Sequence, residues 1–571
     1  MRNTRLILFL ILLGAAAVRV WGINFGLPDI ACRGDEEVIV SIAFSPFSHF
    51  HPFRFDYPSL FKYLNLCGYF LYYLFRVLTG GYMRYFDFAA REVYISPYSF
   101  YLIDRCLSAL LGVGTVWVTY RAARALFDRT TALLSAFFLS LAYLHVRDSH
   151  FGTVDVPMAF FIMASVFYLI KSSQEPTVKN YVWAGICAGL AASTKYAGVL
   201  LCIPMCAVNA ATVSGAGHAK RIIPFDRKAL FFLIACALSF LAGTPYAALD
   251  FSRFLPELLE VLHKTEQGTG IVRGGGWWYH LRFTLFFGLG APLFFSSLIG
   301  MGILFRSQWR KAVYLCSFPL VYYAIIGNCN MVFVRYCMPL VPFLCITGAV
   351  FAGRLTGLLR RYPDPLLRKA GVFLVPVLII APSFVSVVSF DDLLTKKDNR
   401  LCAAEWMDKN LKGGSVVAQF CNHWSEVKLY PNIELVKRSY AFLVAAHGSA
   451  VNQRIVQLQM EYLLAHGIKG FFPCSYDEST DTFTFNGRPI NGLPGYIVVE
   501  ESFWQDPLKL SLKEREVLQG SYTMLKAFKA INIANTSNRF DRQDAFYIPF
   551  TGFKEVERPG PNLYIYKRIA Q

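Results

Sequence analysis

Charged residues are scarce in this sequence. Only 16% of its 571 residues are Asp, Glu, Lys or Arg, against about 25% in an average soluble domain. Hydrophobic residues make up 55% and aromatic residues 16%. This balance excludes a disordered chain and a coiled coil, and no soluble core could bury so much apolar surface. The sequence therefore predicts a membrane protein whose length allows one additional soluble domain.

Paired cysteines and internal repeats are also missing. The chain has 14 cysteines, but no CxxC pair occurs and most of them lie in apolar segments. They are therefore interpreted as small core residues, which excludes a disulfide-rich secreted scaffold. The sequence leaves open whether disulfides form in an oxidising compartment among three cysteines of the polar part, Cys402, Cys421 and Cys474.

The positive charge is unevenly distributed. Residues 1–390 hold 34 Lys and Arg against 18 Asp and Glu, whereas residues 391–571 hold 22 against 20. Because the basic surplus lies in the apolar part and forms no basic tract in the polar part, it indicates membrane topology and not nucleic-acid binding.

Eleven apolar segments are long enough to suggest membrane spans. The first, 6–23, lacks a small-residue cleavage site at its end and is predicted to be a retained span, not a signal peptide. The others lie at 99–120, 131–146, 155–171, 181–195, 197–213, 229–247, 281–304, 312–327, 337–353 and 371–389.

Segment 57–79 decides the topology. If it lies in the outer interface and does not span, the predicted inner loops carry 19 Lys and Arg in 63 residues and the outer loops 12 in 127. This asymmetry is the one that the positive-inside rule favours. The sequence therefore predicts a transmembrane domain over 1–390 with a cytoplasmic N-terminus and an outer first loop at 24–98.

Residues 391–571 are predicted to form an extracytoplasmic α/β domain. Amphipathic helix patterns cover 396–413 and 450–466, and strand patterns lie at 415–420, 468–472, 496–501 and 563–567.

Five charged residues lie inside the apolar segments, where charge is costly and usually functional. Each is near the predicted outer end of its span: Arg19, Asp104, Arg105, Asp155 and Arg282. Snorkelling to the interface explains Arg19 and Arg282, but the side chain of Asp155 is too short for it.

The two outer loops add further acids and histidines. Asp35 and Glu36 follow the first span closely, and a carboxylate there is placed to deprotonate an acceptor hydroxyl, although a solvated surface acid is the alternative. The second loop carries His145, Asp148 and His150, with Asp148 expected to pair with its neighbour in solvent. Its histidines have neither HxH nor HxxxH spacing, so a divalent metal ion stays possible without a predicted ligand set.

Two cations flank apolar segments on the same face. Lys195 and Arg335 each adjoin a tyrosine, which suits an interfacial anchor, but beside acids they also suit a lipid phosphate whose charge must be neutralised. We therefore predict that Lys195 and Arg335 lie near one another.

These stretches together resemble the GT-C membrane glycosyltransferases, in particular the protein mannosyltransferase-like group (family 39) and the aminoarabinose transferases that modify lipid A. The matching residues lie in order along most of 1–390. They are Asp35-Glu36, Tyr57-Pro58-Ser59-Leu60, Arg105, Arg124-Ala125-Leu126-Phe127, His150 to Asp155, Gly189 to Tyr196, and Arg335-Tyr336 with Pro339 and Pro342.

The resemblance implies a polytopic GT-C fold and inverting transfer of a sugar from a polyprenyl phosphate to an extracytoplasmic protein, lipid or envelope glycan at the cytoplasmic membrane. It implies Asp35 as general base and Asp155 as a second catalytic residue that orients the acceptor or donor, and Glu36 is the next candidate for the base. The implied donor-binding residues are Lys195, Arg335, Tyr336 and Lys62, and the implied substrate-binding residues are His150 and Tyr57.

One departure and two alternatives remain. Relatives often have His or Lys before a Pro-Pro pair where this chain has Tyr57-Pro58-Ser59, so the third phosphate contact is open. A secondary transporter would also have many spans and buried charges, but those would lie near the midplane of two related halves. A non-catalytic envelope-assembly protein is the other alternative.

Overall fold

A computed structural model describes residues 2–27, 33–81, 84–213, 226–267, 275–359, 361, 363–447, 449–477, 479–485, 488–503, 510–544 and 546–569. The chain divides into two compact units. The membrane unit comprises Met1–Ile23, Val38–Gly68 and Leu102–Asp391, and the sheet unit comprises Asn24–Glu37, Tyr69–Tyr101 and Asp392–Gln571. The second boundary lies within two residues of the predicted change of character at 390, but much of the first loop clusters with the C-terminal residues.

Helices dominate the first two thirds of the chain. In chain order they are α1 (Arg2–Val20), α2 (Gly34–Val40), α3 (Leu60–Leu78), α4 (Tyr85–Ala90), α5 (Ser99–Leu126), α6 (Arg129–Leu141), α7 (Tyr143–Asp148), α8 (Asp155–Gln174), α9 (Val178–Thr194), α10 (Cys202–Val213), α11 (Arg227–Gly243), α12 (Tyr246–Leu249), α13 (Phe251–Gln267), α14 (Gly276–Tyr279), α15 (Phe286–Leu289), α16 (Ala291–Ser307), α17 (Trp309–Asn328), α18 (Val341–Leu359) and α19 (Pro365–Leu394). Short 3₁₀ or π turns lie at Ser41–Ser48, Arg91–Ile95, Tyr196–Leu201, His280–Leu285 and Val334–Leu340.

The remaining elements belong to the sheet unit. They are α20 (Asn399–Asn410), β1 (Val416–Phe420), α21 (Ile433–Ala445), α22 (Ala450–Ala465), β2 (Phe472–Asp477), β3 (Thr482–Phe485), β4 (Arg488–Pro489), β5 (Tyr496–Glu501), α23 (Leu512–Ser521), β6 (Tyr522–Phe528) and β7 (Asn562–Arg568).

Several helices are long and apolar enough to cross a membrane. Among the described residues four qualify, at Ser99–Leu126, Asp155–Gln174, Val334–Leu359 and Ala370–Asn410. A fifth is possible if Gly276–Leu289 and Ala291–Ser307, bent by 113°, form one broken span. The protein is therefore a multi-pass membrane protein. The predicted total of eleven spans stays a prediction, because the other apolar segments form shorter helices.

One predicted span is broken for a visible reason. The apolar segment 131–146 divides into α6 and α7 at Ala142, whose backbone is extended. The hydroxyl of Ser383 accepts a hydrogen bond from the Tyr143 amide at 2.8 Å and donates one to the Leu141 carbonyl at 3.1 Å. The side chain from α19 therefore satisfies backbone groups that an uninterrupted helix would have paired internally.

The sheet unit contains a mixed sheet, as the strand patterns indicated. Its order is β4-β3-β2-β1-β5-β7-β6, with β1 parallel to both neighbours and the other pairs antiparallel. Val417 and Val498 pack in the core on one face, and Ala418 and Ile497 pack in the core on the other. This alternation follows from the two-residue period of strands and explains why apolar residues follow one another directly in β1 and β5.

The first-loop segment 84–95 is held within the sheet unit by charge. Arg454 on α22 donates to both carboxylate oxygens of Asp87 at 2.9 and 2.8 Å. These hydrogen bonds are the main reason that the pKa of Asp87 is lowered, with the Arg454 charge adding to them. Glu461 also approaches Arg91 at 3.4 Å, so this part of the loop is fixed to α22.

Candidate active site

The first-loop acids lie in the sheet unit, in the first turn of α2. Asp35 is half-buried, whereas Glu36 is fully buried. Since a general base must contact the proton that it removes, Asp35 has the better access of the two. Asp155 belongs to the membrane unit, so the expectation that Asp35 points toward Asp155 stays a prediction.

Three predicted residues meet in the membrane unit. The ammonium group of Lys195 lies 2.6 Å from the Asp155 carboxylate and 4.8 Å from the centre of the Tyr336 ring. Asp155 begins α8, Lys195 follows α9, and Tyr336 lies in the turn before α18. Residues that are far apart in sequence thus form one polar cluster.

Arg335 extends the same cluster. Its guanidinium lies 4.4 Å from the Phe333 ring centre, and the residue is buried. The charges of both Lys195 and Arg335 act on the Tyr336 hydroxyl, as does that of Asp155. The two cations therefore share Tyr336 as a neighbour.

The backbone after α9 explains how Lys195 reaches this position. Lys195 has an extended conformation, with φ −151° and ψ 133°, and the 3₁₀ turn that follows folds back on α9. Gly198 permits this close approach, because a Cβ there would lie 2.3 Å from the Ala192 amide nitrogen. Lys195 keeps 17% of its side chain exposed, whereas Asp155 keeps 1%.

The predicted substrate-binding residues have internal contacts. His150 is fully buried, with Nδ1 at 2.9 Å from the Val146 carbonyl and Nε2 at 3.1 Å from the Trp21 carbonyl. Tyr57 packs against the cluster of Ile39, Phe61 and Val154. The substrate-binding roles of His150 and Tyr57 stay predictions.

Lys62 has its own backbone partners. It is fully buried at the start of α3, and its ammonium group donates to the Arg54 carbonyl at 3.0 Å and approaches the Pro52 carbonyl at 3.5 Å. These contacts fix the loop before α3. Phosphate binding by Lys62 stays a prediction.

Two expectations about surface charge are wrong. Arg19 does not snorkel: it is fully buried and donates to the Ala15 and Ser140 carbonyls at 2.9 and 3.1 Å, with His145 Nδ1 at 2.9 Å. Arg147 and Asp148 do pair, at 3.1 Å, but both side chains are buried and not in solvent. The fold provides hydrogen-bonding partners inside the unit, and these offset the desolvation cost of burying the charges. The side chains therefore do not have to reach the membrane interface.

Asp391 is the acid that the sequence analysis missed. It lies fully buried near the end of α19, 3.6 Å from His150 Nε2 and within electrostatic range of Arg19. Its position directly after the apolar run 371–389 was the available signal. The sequence pattern places Asp391 at the start of the soluble domain, because a sequence does not distinguish the last turn of a span from the residue after it.

The sequence leaves metal binding and cysteine pairing open. In the described part of the chain, no group of three or more His, Cys, Asp or Glu side chains is arranged to hold a metal ion. Cys402, Cys421 and Cys474 are free cysteines.

Comparison with known proteins finds a family match within the membrane unit. Residues 104–240, which include Asp155 and Lys195, match the family model described as dolichyl-phosphate-mannose-protein mannosyltransferase. Dolichyl-phosphate-mannose--protein mannosyltransferase 1 of Saccharomyces cerevisiae is 28% identical over 181 residues, which are 29% of this chain. The namesake protein of Candida albicans is 31% identical over 127 residues. The alignments span only 21% and 14% of those relatives' length.

Solved structures extend the likeness beyond that region. ArnT from Cupriavidus metallidurans bound to undecaprenyl phosphate superimposes with a TM-score of 0.52 at 12% identity, covering 98% of this chain and 97% of that one. The apo oligosaccharyltransferase of Archaeoglobus fulgidus gives 0.50 at 13% identity, covering 99% and 88%. This chain has the GT-C fold. The resemblance found in its sequence to the mannosyltransferase-like group is thereby confirmed.

Proposed function

We propose that this GT-C protein transfers a sugar from a polyprenyl-phosphate donor to an acceptor on the extracytoplasmic face of the membrane, with inversion. The single observation that carries the proposal is the cluster of Asp155, Lys195, Arg335 and Tyr336. The family match at 104–240 and the fold shared with ArnT bound to undecaprenyl phosphate support it.

Lys195 and Arg335 bind the donor phosphate in this proposal. An ammonium group has three N–H donors, so Lys195 can keep its 2.6 Å contact with Asp155 and still donate to a phosphate oxygen. Asp155 holds Lys195 in place, and the guanidinium of Arg335 offers a second, planar set of donors. Two fixed cations suit a donor with a single phosphate, which is a phosphodiester before transfer and a monoester after it, better than a diphosphate donor.

The transfer step needs one base and one stabilised leaving group. The acceptor hydroxyl oxygen attacks the anomeric carbon while the bond from that carbon to the phosphate oxygen breaks. The bonding electron pair leaves on the phosphate, giving polyprenyl phosphate, and the hydroxyl proton passes to the Asp35 carboxylate. Lys195 and Arg335 stabilise the charge on the leaving phosphate, so no second acid has to protonate it.

Reconstitution tests the donor site. The purified full chain is reconstituted in proteoliposomes and supplied with synthetic polyprenyl-phosphate sugars and peptide or glycolipid acceptors. Mass spectrometry then measures the release of polyprenyl phosphate. Lys195→Met and Arg335→Met should each lower turnover by roughly 10²–10³-fold, because each removes a charge that stabilises the leaving group.

Arg282→Met is the matched control. Arg282 is also a cation within a predicted span, but it is exposed and lies 4.8 Å from the Trp278 ring centre. It should keep near-normal turnover. Equal losses in all three variants would indicate a general charge effect, and unchanged turnover in Lys195→Met and Arg335→Met would refute the phosphate site.

A further inference from the structure

The segment that carries the proposed base is bound to the C-terminal domain within the sheet unit. Arg33, two residues before Asp35, forms an ion pair with Asp544, and each side chain is only 2% exposed. These partners are 511 positions apart in the sequence. The pair can therefore exist only when the C-terminal domain is folded against this segment.

A close steric contact lies one residue further on. A Cβ placed on Gly34 would lie 2.4 Å from Cη2 of Trp424, so the indole ring occupies the space beside the Gly34 backbone. Any side chain at position 34 would have to displace either the ring or the start of α2. We call the Arg33–Asp544 pair and the Gly34–Trp424 contact the loop anchor.

The backbone of Trp424 is itself held in place. The Trp424 carbonyl accepts a hydrogen bond from Arg400 Nη1 at 2.6 Å, and Arg400 is paired with Asp398 at 2.8 Å. Trp424 lies just beyond the carboxyl end of β1, the central strand. The nearby Asn422 amide donates to Glu500 on β5 at 2.8 Å. This hydrogen bond connects the segment after β1 to the end of β5.

The Asp544 side of the anchor belongs to the same framework. Asp544 lies in the connection between β6 and β7, as does Tyr547. The Tyr547 hydroxyl bonds to Ser425, the residue after Trp424, and approaches Glu500 at 3.4 Å. Tyr547 therefore ties the connection that carries Asp544 to the carboxyl ends of β1 and β5, where Trp424 also lies.

The energetics favour a positioning role over a simple stabilising one. A buried ion pair contributes little net stability, because desolvation of the two charges offsets their attraction. What it specifies is geometry: removing one partner takes the opposite charge away from a buried side chain, which shifts the segment that carries it. Here the segment that would move begins two residues from Asp35.

We propose that the C-terminal domain positions the catalytic base, with Arg33, Gly34, Trp424 and Asp544 acting on the reaction through Asp35. This inference rests on the proposed function of Asp35. Because a displacement of about 1 Å can cost on the order of 10²-fold in rate, loss of the anchor lowers the transfer step while the donor phosphate site stays intact.

Kinetics of the full chain with a synthetic polyprenyl-phosphate sugar test the proposal. Asp544→Asn should lower kcat about 10–100-fold with the donor KM nearly unchanged. The Arg33→Gln/Asp544→Asn double variant should lose no more than the single variants, since the two side chains act as one pair. Gly34→Ala should lower kcat, and Trp424→Ala in the same chain should restore part of it by removing the clash.

Leu518→Ala is the matched control for domain stability. Leu518 is buried in the sheet-unit core with Ala418, Cys474 and Ile497, so its truncation weakens the same domain through a cavity. It should keep kcat when assayed below its unfolding temperature. A parallel loss of kcat in Leu518→Ala would overturn the positioning role and leave general destabilisation as the cause.

Hydrogen exchange separates this inference from the proposed function. In Asp544→Asn the amides of 33–40 should exchange faster than in the parent protein. Faster exchange with unchanged kcat overturns the positioning role, and unchanged exchange overturns the anchor itself. Normal turnover of Asp35→Asn would instead remove the base, and with it the positioning role, while the exchange result would still report whether the anchor exists.

Discussion

Asp35 and Glu36 are adjacent acids with different access to a substrate. Both lie in the first turn of α2, but Asp35 is half-buried and Glu36 is fully buried. A hydroxyl is a poor nucleophile near neutral pH, so its proton has to be taken by a carboxylate in contact with it. Only the side chain that solvent reaches has this opportunity without rearrangement of the loop.

Asparagine at position 35 isolates the basicity of this side chain. Asp35→Asn keeps the shape and should slow transfer by roughly 10²–10⁴-fold while donor binding is retained, because binding depends on the cations and transfer on the base. Single-turnover kinetics and binding of a non-transferable donor analogue measure the two separately. Glu36→Gln is the comparison variant, and a larger loss there would reassign the base to Glu36.

The α9–α11 pair determines where Lys195 lies. Gly185 and Gly189 on α9 face α11 so closely that a Cβ on them would lie 2.3 Å from the Phe232 carbonyl and 2.2 Å from the Cys236 carbonyl. Such small residues allow helix backbones to approach within a membrane. Since α9 ends directly before Lys195, the packing of this pair controls the position of the ammonium group.

Gly189→Leu should therefore impair the donor site as well as the fold. Overpacking a helix contact costs about 1–3 kcal/mol, which should lower the thermal unfolding temperature in detergent and weaken donor-analogue binding. Gly302→Leu on α16 is the control, because a Cβ at Gly302 meets no atom within 4 Å. Equal effects of the two substitutions would contradict the importance of the α9–α11 contact.

At the scale of the whole molecule, the charge pattern makes a topological prediction. The loop at 121–130 has to be cytoplasmic and residues 391–571 extracytoplasmic if segment 57–79 does not span. A membrane-impermeant maleimide added to intact cells should label Lys437→Cys on α21 but not Arg129→Cys at the start of α6, after subtraction of the parent's own cysteines. Both sites are exposed, so the reverse labelling would invert the predicted topology.

Periodicity in the sequence was sufficient for the elements whose environment is uniform. The runs at 415–420, 496–501 and 563–567 became β1, β5 and β7, because strands that are apolar or alternate strictly leave few other structures. The strand pattern at 468–472 only touches β2, which begins at Phe472. The helix α21 is absent from the sequence predictions, and large apolar side chains on it, such as Phe442, are exposed.

By itself, the sequence determined that this is a polytopic membrane protein with a C-terminal α/β domain, and its ordered motifs identified the fold family. These properties follow from composition and local sequence pattern, which can be read without knowing the three-dimensional structure. Only the tertiary structure decided that Lys195 meets Asp155 and Tyr336, that Arg19 and Asp391 are buried within electrostatic range of each other, and that Arg33 pairs with Asp544. A buried charge takes its partner from whichever element the fold brings beside it, and no local pattern encodes a contact between residues hundreds of positions apart.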